Sequence, residues 1–213
     1  MQNKQFSYRL YGRSRGRNKK NFDYDKFNSI LKDFAIKELL VNNKNILDIG
    51  SGYGESTLYL AEKNKNTKII ACEKFIDGNN KLITDANKKK FTNVFIHSGN
   101  VLQLLDKLEK NEYFNEIWIL FPDPWPKKKH FKRRLLNTFF FQRLYFFLKH
   151  NAHIYIATDS KSYLREILFL IYQLQKKFSW ENQKKTIWEY KHCLLPETKY
   201  FKKAIKKGSN PFF

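Results

Sequence analysis

The chain has 213 residues, with 41 Lys or Arg against 20 Asp or Glu, a formal charge of +21. That length suits one domain with a sizeable core, and the charge points to an anionic partner, nucleic acid before membrane surface. No apolar run approaches the roughly 20 residues of a membrane helix. The opening MQNKQFSYRLYGRSRGR does not fit a signal peptide, and Cys72 and Cys193 lack the spacing of a zinc site or disulfide framework. A cytoplasmic monomer that binds neither metal nor membrane is expected.

Residues 1 to 22 are basic, contain Gly12 and Gly16, and show no sustained apolar period. A flexible arm is expected there, with residues 23 to 213 forming the domain. Lys is spread along the whole chain, but six of the eight arginines fall in two places: Arg9, Arg13, Arg15 and Arg17 in the arm, then Arg133 and Arg134. The planar fork of Arg suits phosphate, so both clusters are candidate phosphate contacts.

From 26 to 41, Phe27, Ile30, Leu31, Phe34, Leu39 and Leu40 recur at roughly helical spacing. Strands are expected at 45 to 49, 68 to 72, 93 to 97, 115 to 121 and 152 to 157. Helices are expected between them and beyond, at 55 to 64, 79 to 90, 101 to 109, 133 to 149 and 161 to 176. The stretch FFFQRLYFFL, 139 to 148, reads as a buried amphipathic helix, and the tail, 178 to 205, as two extended segments around Trp188 and Tyr200. Strands alternating with helices predict a right-handed α/β fold, a parallel sheet with helices on its faces.

Residues 45 to 57 read NILDIGSGYGEST, a strand entering Gly50, Gly52 and Gly54 before a helix. Glycines let the backbone turn tightly and let a ligand approach with no Cβ in the way. The spacing differs from the G-x-G-x-x-G dinucleotide fingerprint, and Asp48 puts a carboxylate in the strand end. A pyrophosphate would be repelled there, whereas the sulfonium and amine of S-adenosylmethionine would be attracted. Glu73, ending the second strand about 20 residues on, is placed to accept ribose hydroxyls. Asn100 suits an adenine contact or a helix N-cap equally well.

The most informative stretch is IWILFPDPWPKKKHFKRRLL, 117 to 136. Three prolines end the strand and stiffen the loop around Asp123 and Trp125, at the strand end where open parallel sheets bind ligands. Lys127, Lys129, His130, Lys132, Arg133 and Arg134 follow. A carboxylate and an indole beside a cationic segment suit a base attached to a polyanion. Asp159, ending the fifth strand, lies on the same ligand face.

The glycine loop, the acidic second strand and FPDPWPKKKH together resemble the bacterial tRNA (guanine-N7-)-methyltransferases, through nearly the whole chain. The resemblance implies a Rossmann-like class I methyltransferase fold of seven strands, S-adenosyl-L-methionine (SAM) as methyl donor, and guanine 46 of the tRNA variable loop as acceptor. By position it implies SAM contacts at Asp48, Gly50, Gly52, Glu73 and Asn100, with Asp123 the proposed catalytic residue beside the cofactor. It also implies substrate contacts at Lys127 and Asp159, and RNA contacts over residues 129 to 134, with Arg13, Arg15 and Arg17 of the arm added on charge.

The family motif Thr-Lys-Phe-Glu corresponds to the substrate-binding positions Thr198, Lys199, Tyr200 and Phe201. Phe201 stands where the family has Glu, and Asn100 where Asp is frequent; both depart from the pattern. Charge and aromatics alone would also fit a non-catalytic RNA-binding protein on a degenerate methyltransferase scaffold. Such a protein has no physical reason to keep Asp48, Glu73 and the glycine loop together. An exocyclic-amine acceptor would call for Asn- or Asp-Pro-Pro-aromatic, whereas the order here is Pro-Asp-Pro-Trp.

Overall fold

The structure, a computed structural model, describes residues 11, 14, 22–36, 41–182 and 196–213. Five parallel strands form one sheet in the order β3-β2-β1-β4-β5: β1 Asn45–Ile49, β2 Lys68–Glu73, β3 Val94–Ser98, β4 Phe114–Leu120 and β5 Leu148–Ala157. Chain order reverses between β1 and β4, and a crevice opens beyond the strand ends at such a switch point.

Residues along each strand alternate between two apolar layers, as the period of two requires. Ile46, Ile69, Ala71, Trp118 and Leu120 face one layer, closed by α1 (Tyr24–Asp33), α2 (Glu55–Lys63) and α3 (Ile76–Lys88) through Phe27, Leu60, Leu82 and Ile83. Leu47, Ile49, Ile70, Ile117 and Ile119 face the other, with Leu104 and Leu105 of α4 (Val101–Lys107), Phe140 and Leu144 of α5 (Thr138–Tyr145), and Tyr163, Ile167 and Leu170 of α6 (Lys161–Gln173). Asn45 and Asp48 are the buried polar residues of β1. Asp48 points into the first layer at 1% exposure, between Ile46 and the start of α2.

The Rossmann-like α/β fold is as the sequence predicts. The described residues hold five strands rather than seven; of the expected tail, residues 183 to 195, with Trp188, lie outside them, as do Arg13, Arg15 and Arg17.

Three expectations are corrected. The helix expected at 133 to 149 is a 3₁₀ turn over Lys128–Arg133 followed by the separate α5, because the Asn137 side chain accepts from Phe140 N and starts a new helix. Phe140, Phe141 and Leu144 bury one face of α5, while Phe139 and Tyr145 remain exposed. Tyr200 sits not in an extended segment but in α7, Lys199–Lys206, capped by Thr198 Oγ1 accepting from Phe201 N. Finally, β5 begins at Leu148, four residues early, leaving no room for the helix expected to reach 149. No helix among the described residues is long and apolar enough to cross a membrane.

Candidate active site

The sheet gathers the expected site residues along one rim. Asn100 follows β3, Glu73 ends β2, Gly50 and Gly52 follow β1, Asp123 follows β4 and Asp159 follows β5. Gly50, Gly52 and Gly54 all take positive φ, the backbone region that disfavours any Cβ. The Glu73 carboxylate binds this turn, its Oε2 accepting from Gly52 N at 3.0 Å and its Oε1 from Phe75 N at 2.8 Å. Gly78, in the first turn of α3, packs so closely that a Cβ there would lie 1.9 Å from Gly52 O. The glycine turn is therefore clamped from two sides.

Asp48 lies beneath this turn. Its Oδ2 accepts from Ser56 Oγ at 2.6 Å and Thr57 Oγ1 at 2.7 Å, tying the β1 end to the first turn of α2. Burial pushes its carboxyl up to about 6, against the pull of those two hydroxyls and with a smaller push from Glu73. A nearby cation would return it to the ionised state.

The proline loop begins with Phe121 at φ 54°, its amide donating to Ala157 O at 2.7 Å. Trp125 also sits in the left-handed region, at φ 40°, which is costly for a bulky side chain. Asp123 is exposed, and its carboxylate makes no hydrogen bond among the described residues, so it does not cap its own turn. Trp125 carries the Arg133 guanidinium over its ring at 4.9 Å and meets His130 edge-on at 5.8 Å. Partial burial, then Arg133, Lys129, Lys127 and Lys132, hold the His130 imidazole below its ordinary range, so it is neutral at pH 7. Lys127, Lys129 and Lys132 are exposed.

The fit to SAM rests on this donor set. The turn leaves open space where a Gly50 Cβ would stand. Asp48 below it and Glu73 and Asp123 around it favour a sulfonium cation over a phosphate. Lys74 and Tyr200 each feel both Glu73 and Asp123, so the two carboxylates address one space.

Comparison with known proteins agrees with this geometry. The family described as "Putative methyltransferase" matches residues 42–213. A curated tRNA (guanine-N(7)-)-methyltransferase from Neorickettsia sennetsu is 36% identical over 169 residues, 78% of this chain and 76% of its own. Its counterpart from Bartonella quintana is 34% identical over 169 residues, 78% and 72% of the two chains. The chain belongs to the tRNA (guanine-N(7)-)-methyltransferase family. Among solved structures, precorrin-6y C5,15-methyltransferase from Geobacter metallireducens aligns with TM-score 0.48 and 14% identity over 70% of each chain.

The segment matching this family's Thr-Lys-Phe-Glu motif closes the rim from above. Lys199 N donates to Glu55 Oε2 at 3.1 Å and its ammonium lies 4.2 Å from the centre of the Tyr53 ring, while Tyr200 reaches over Gly52. Burial first, then Asp123 and Glu73, raises the Tyr200 hydroxyl's pKa and keeps it a donor. Phe201 turns away from the rim and packs against the layer containing Phe27 and Trp118, where an apolar ring is at home and a carboxylate would not be. Asn100 is the N-cap of α4, its Oδ1 accepting from Leu102 N at 2.8 Å. Asp159 is left out of its neighbouring cap, because Ser160 Oγ accepts from Tyr163 N instead.

Three of the expected arm's residues are described: Phe22 packs beside Phe27, and the other two meet the rim. Tyr11 lies edge-on to Trp125 at 6.1 Å, and Ser14 O accepts from Ile76 N at 3.0 Å. Arg134 departs from its expected place as an RNA contact. It is 3% exposed, with Nε donating to Pro124 O at 2.7 Å and Nη2 to Ser162 Oγ at 3.1 Å. Sequence reasoning also missed Gly78, although a glycine inside a helical pattern signals close packing. It missed Ser56 and Thr57, whose hydroxyls acquire a role only through Asp48.

Proposed function

We propose that the chain transfers a methyl group from SAM to N7 of guanine 46 in the tRNA variable loop, in the cytoplasm. The observation that carries this reading is Asp123, without a hydrogen-bond partner among the described residues, on a stiff proline loop and facing the same space as Glu73, in a chain of this family. Gly50, Gly52 and Glu73 hold the cofactor's backbone-facing and ribose portions, Asp48 favours its cationic end, and Asn100 stands near its adenine. SAM supplies the electrophilic methyl group.

Guanine N7 keeps its lone pair outside Watson–Crick pairing, so no proton is removed and no general base is required. The work left to the protein is alignment of N7 with the methyl group, and tolerance of the positive charge that grows on the imidazole ring. The Asp123 carboxylate accepts from the guanine Watson–Crick edge, fixing the base and offsetting that charge. Lys127, Lys129, Lys132 and Arg133 contact the backbone. His130, being neutral, serves as a packing or RNA contact. The test is incubation with SAM and unmodified tRNA, followed by borohydride and aniline cleavage; strand scission at guanine 46 is expected. No SAM-dependent scission in any tRNA would overturn the reading.

A further inference from the structure

Arg134 lies directly after the cationic run, yet its charge is enclosed. Its side chain is 2% exposed, paired with the carboxylate of Glu166, which is 41% exposed on α6. Its guanidinium carbon lies 3.8 Å from the Phe131 ring centre and 4.7 Å from that of Tyr163. The Tyr163 hydroxyl in turn accepts from Leu136 N at 3.0 Å, so the same knot fixes the chain just beyond Arg134. A phosphate cannot reach this guanidinium without dismantling the knot.

The fork instead reaches back ten residues to Pro124 O. That carbonyl belongs to the peptide linking Pro124 to Trp125, whose plane sets φ at Trp125. Trp125 is held at the unfavourable φ of 40°, and a conformation of that kind persists only when its surroundings over-determine it. The bond to Arg134 provides that constraint, with α6 as the anchor through Ser162 and Glu166. Lys would keep the charge but lose the planar fork that binds Pro124 O and Ser162 Oγ while pairing with Glu166.

We propose that Arg134 is a positioning residue, which hooks the Pro124 carbonyl to α6 and thereby sets Asp123 and Trp125 for the acceptor base, while Arg133 beside it serves the RNA. The proposal deepens the methyltransferase reading and rests on it. Misplacing a reacting partner by about 1 Å costs on the order of a hundredfold in rate, so loss of the hook acts on turnover more than on binding.

The test compares the full chain with Arg134→Lys, Arg134→Gln, Glu166→Gln and Arg133→Gln. Turnover and KM for tRNA are measured with SAM, and the salt dependence of tRNA affinity without it. Arg134→Lys and Arg134→Gln are expected to lower kcat about tenfold or more, with KM within about twofold and the salt slope unchanged. Arg133→Gln should flatten that slope by about 0.7 to 0.9, one phosphate contact. Wild-type turnover in Arg134→Lys overturns the proposal, as does a slope flattened in Arg134→Gln as much as in Arg133→Gln. Should Arg134→Gln fail to fold by its melting curve, Glu166→Gln decides: a kcat reduced several-fold at unchanged slope is expected, and unchanged kcat overturns. Wild-type N7 methylation in the same assay reports separately on the function, and the salt slopes remain decisive without it.

Discussion

Gly78→Ala puts the clamp on the glycine turn to its hardest test. The new Cβ would stand 1.9 Å from Gly52 O, 2.8 Å from Gly52 C and 3.0 Å from Phe75 Cδ1. The Phe75 ring can rotate away, but the other two atoms are backbone. Reaching even 3.0 Å requires the Gly52 carbonyl or the start of α3 to retreat by about 1 Å, and overpacking of this kind costs about 1 to 3 kcal/mol. The helix is the stiffer partner, because Leu82, Ile83 and Ala86 are buried along its inner face. The displacement therefore falls on residues 50 to 54, breaking the alignment of Gly52 N with Glu73. Calorimetry should show SAM binding weakened about 10- to 100-fold, equivalent to about 1.4 to 2.8 kcal/mol, while tRNA affinity without SAM stays within twofold. Asn87→Ala, an exposed substitution in the same helix, should change neither. A folded Gly78→Ala protein that binds SAM within threefold of the parent would refute the assignment of this turn as the cofactor cradle.

Asp123→Asn should depress turnover far more than SAM affinity, since its target is the base; equal turnover would sink that role. Glu73→Ala should weaken SAM binding by at least about 1.5 to 3 kcal/mol, because it removes acceptors from the ribose and also frees the amides of Gly52 and Phe75, and calorimetry reads the loss. Asp48 titrates near 6 when folded against an ordinary 3.8, so between those values the folded state binds more protons than the unfolded one. Stability should fall as pH rises from about 4 to 6, by on the order of 3 kcal/mol, and denaturant midpoints of Asp48→Asn should lose that slope. In the same window SAM, as a cation, should release a proton on binding and bind more tightly as pH rises, a result that calorimetry in two buffers would show or refute. Lys88→Gln with Lys89→Gln, far along α3 from the rim, should leave the salt slope of tRNA binding nearly intact, where Arg133→Gln flattens it.

The strands were readable because buried parallel strands are near-continuous apolar runs, and β1 over residues 45 to 49 matches residue for residue. The glycine turn and proline loop were equally legible, since Gly and Pro act through the local backbone. Legibility failed where a local signal was overridden or overlooked. The apolar spacing after 133 looked continuous, but Asn137 restarts the helix. Around Tyr200, the cap Thr198 and the spacing of Phe201, Ala204 and Ile205 signal the helix that the expectation of an extended segment overlooked. Arg134 could not be placed by any local rule, because its partners Ser162 and Glu166 lie 28 and more residues away and meet it only once α6 docks. Within a run of like charges, sequence does not separate the arginine that meets solvent from the one that holds the loop.

Glu73 already has one hydrogen bond on each oxygen, from Gly52 N and Phe75 N. An ionised carboxylate offers about four lone-pair directions, so two remain, and their aim is fixed by the backbone rather than by a rotating side chain. In the proposed cofactor site, a ribose with its two hydroxyls would therefore meet an acceptor pair whose rotational freedom was surrendered when the chain folded. Most of the ordering entropy of that contact is charged to protein stability instead of cofactor affinity. The same arrangement ties the shape of the glycine turn to the charge on one side chain, so any change that neutralises Glu73 loosens the turn before a cofactor arrives.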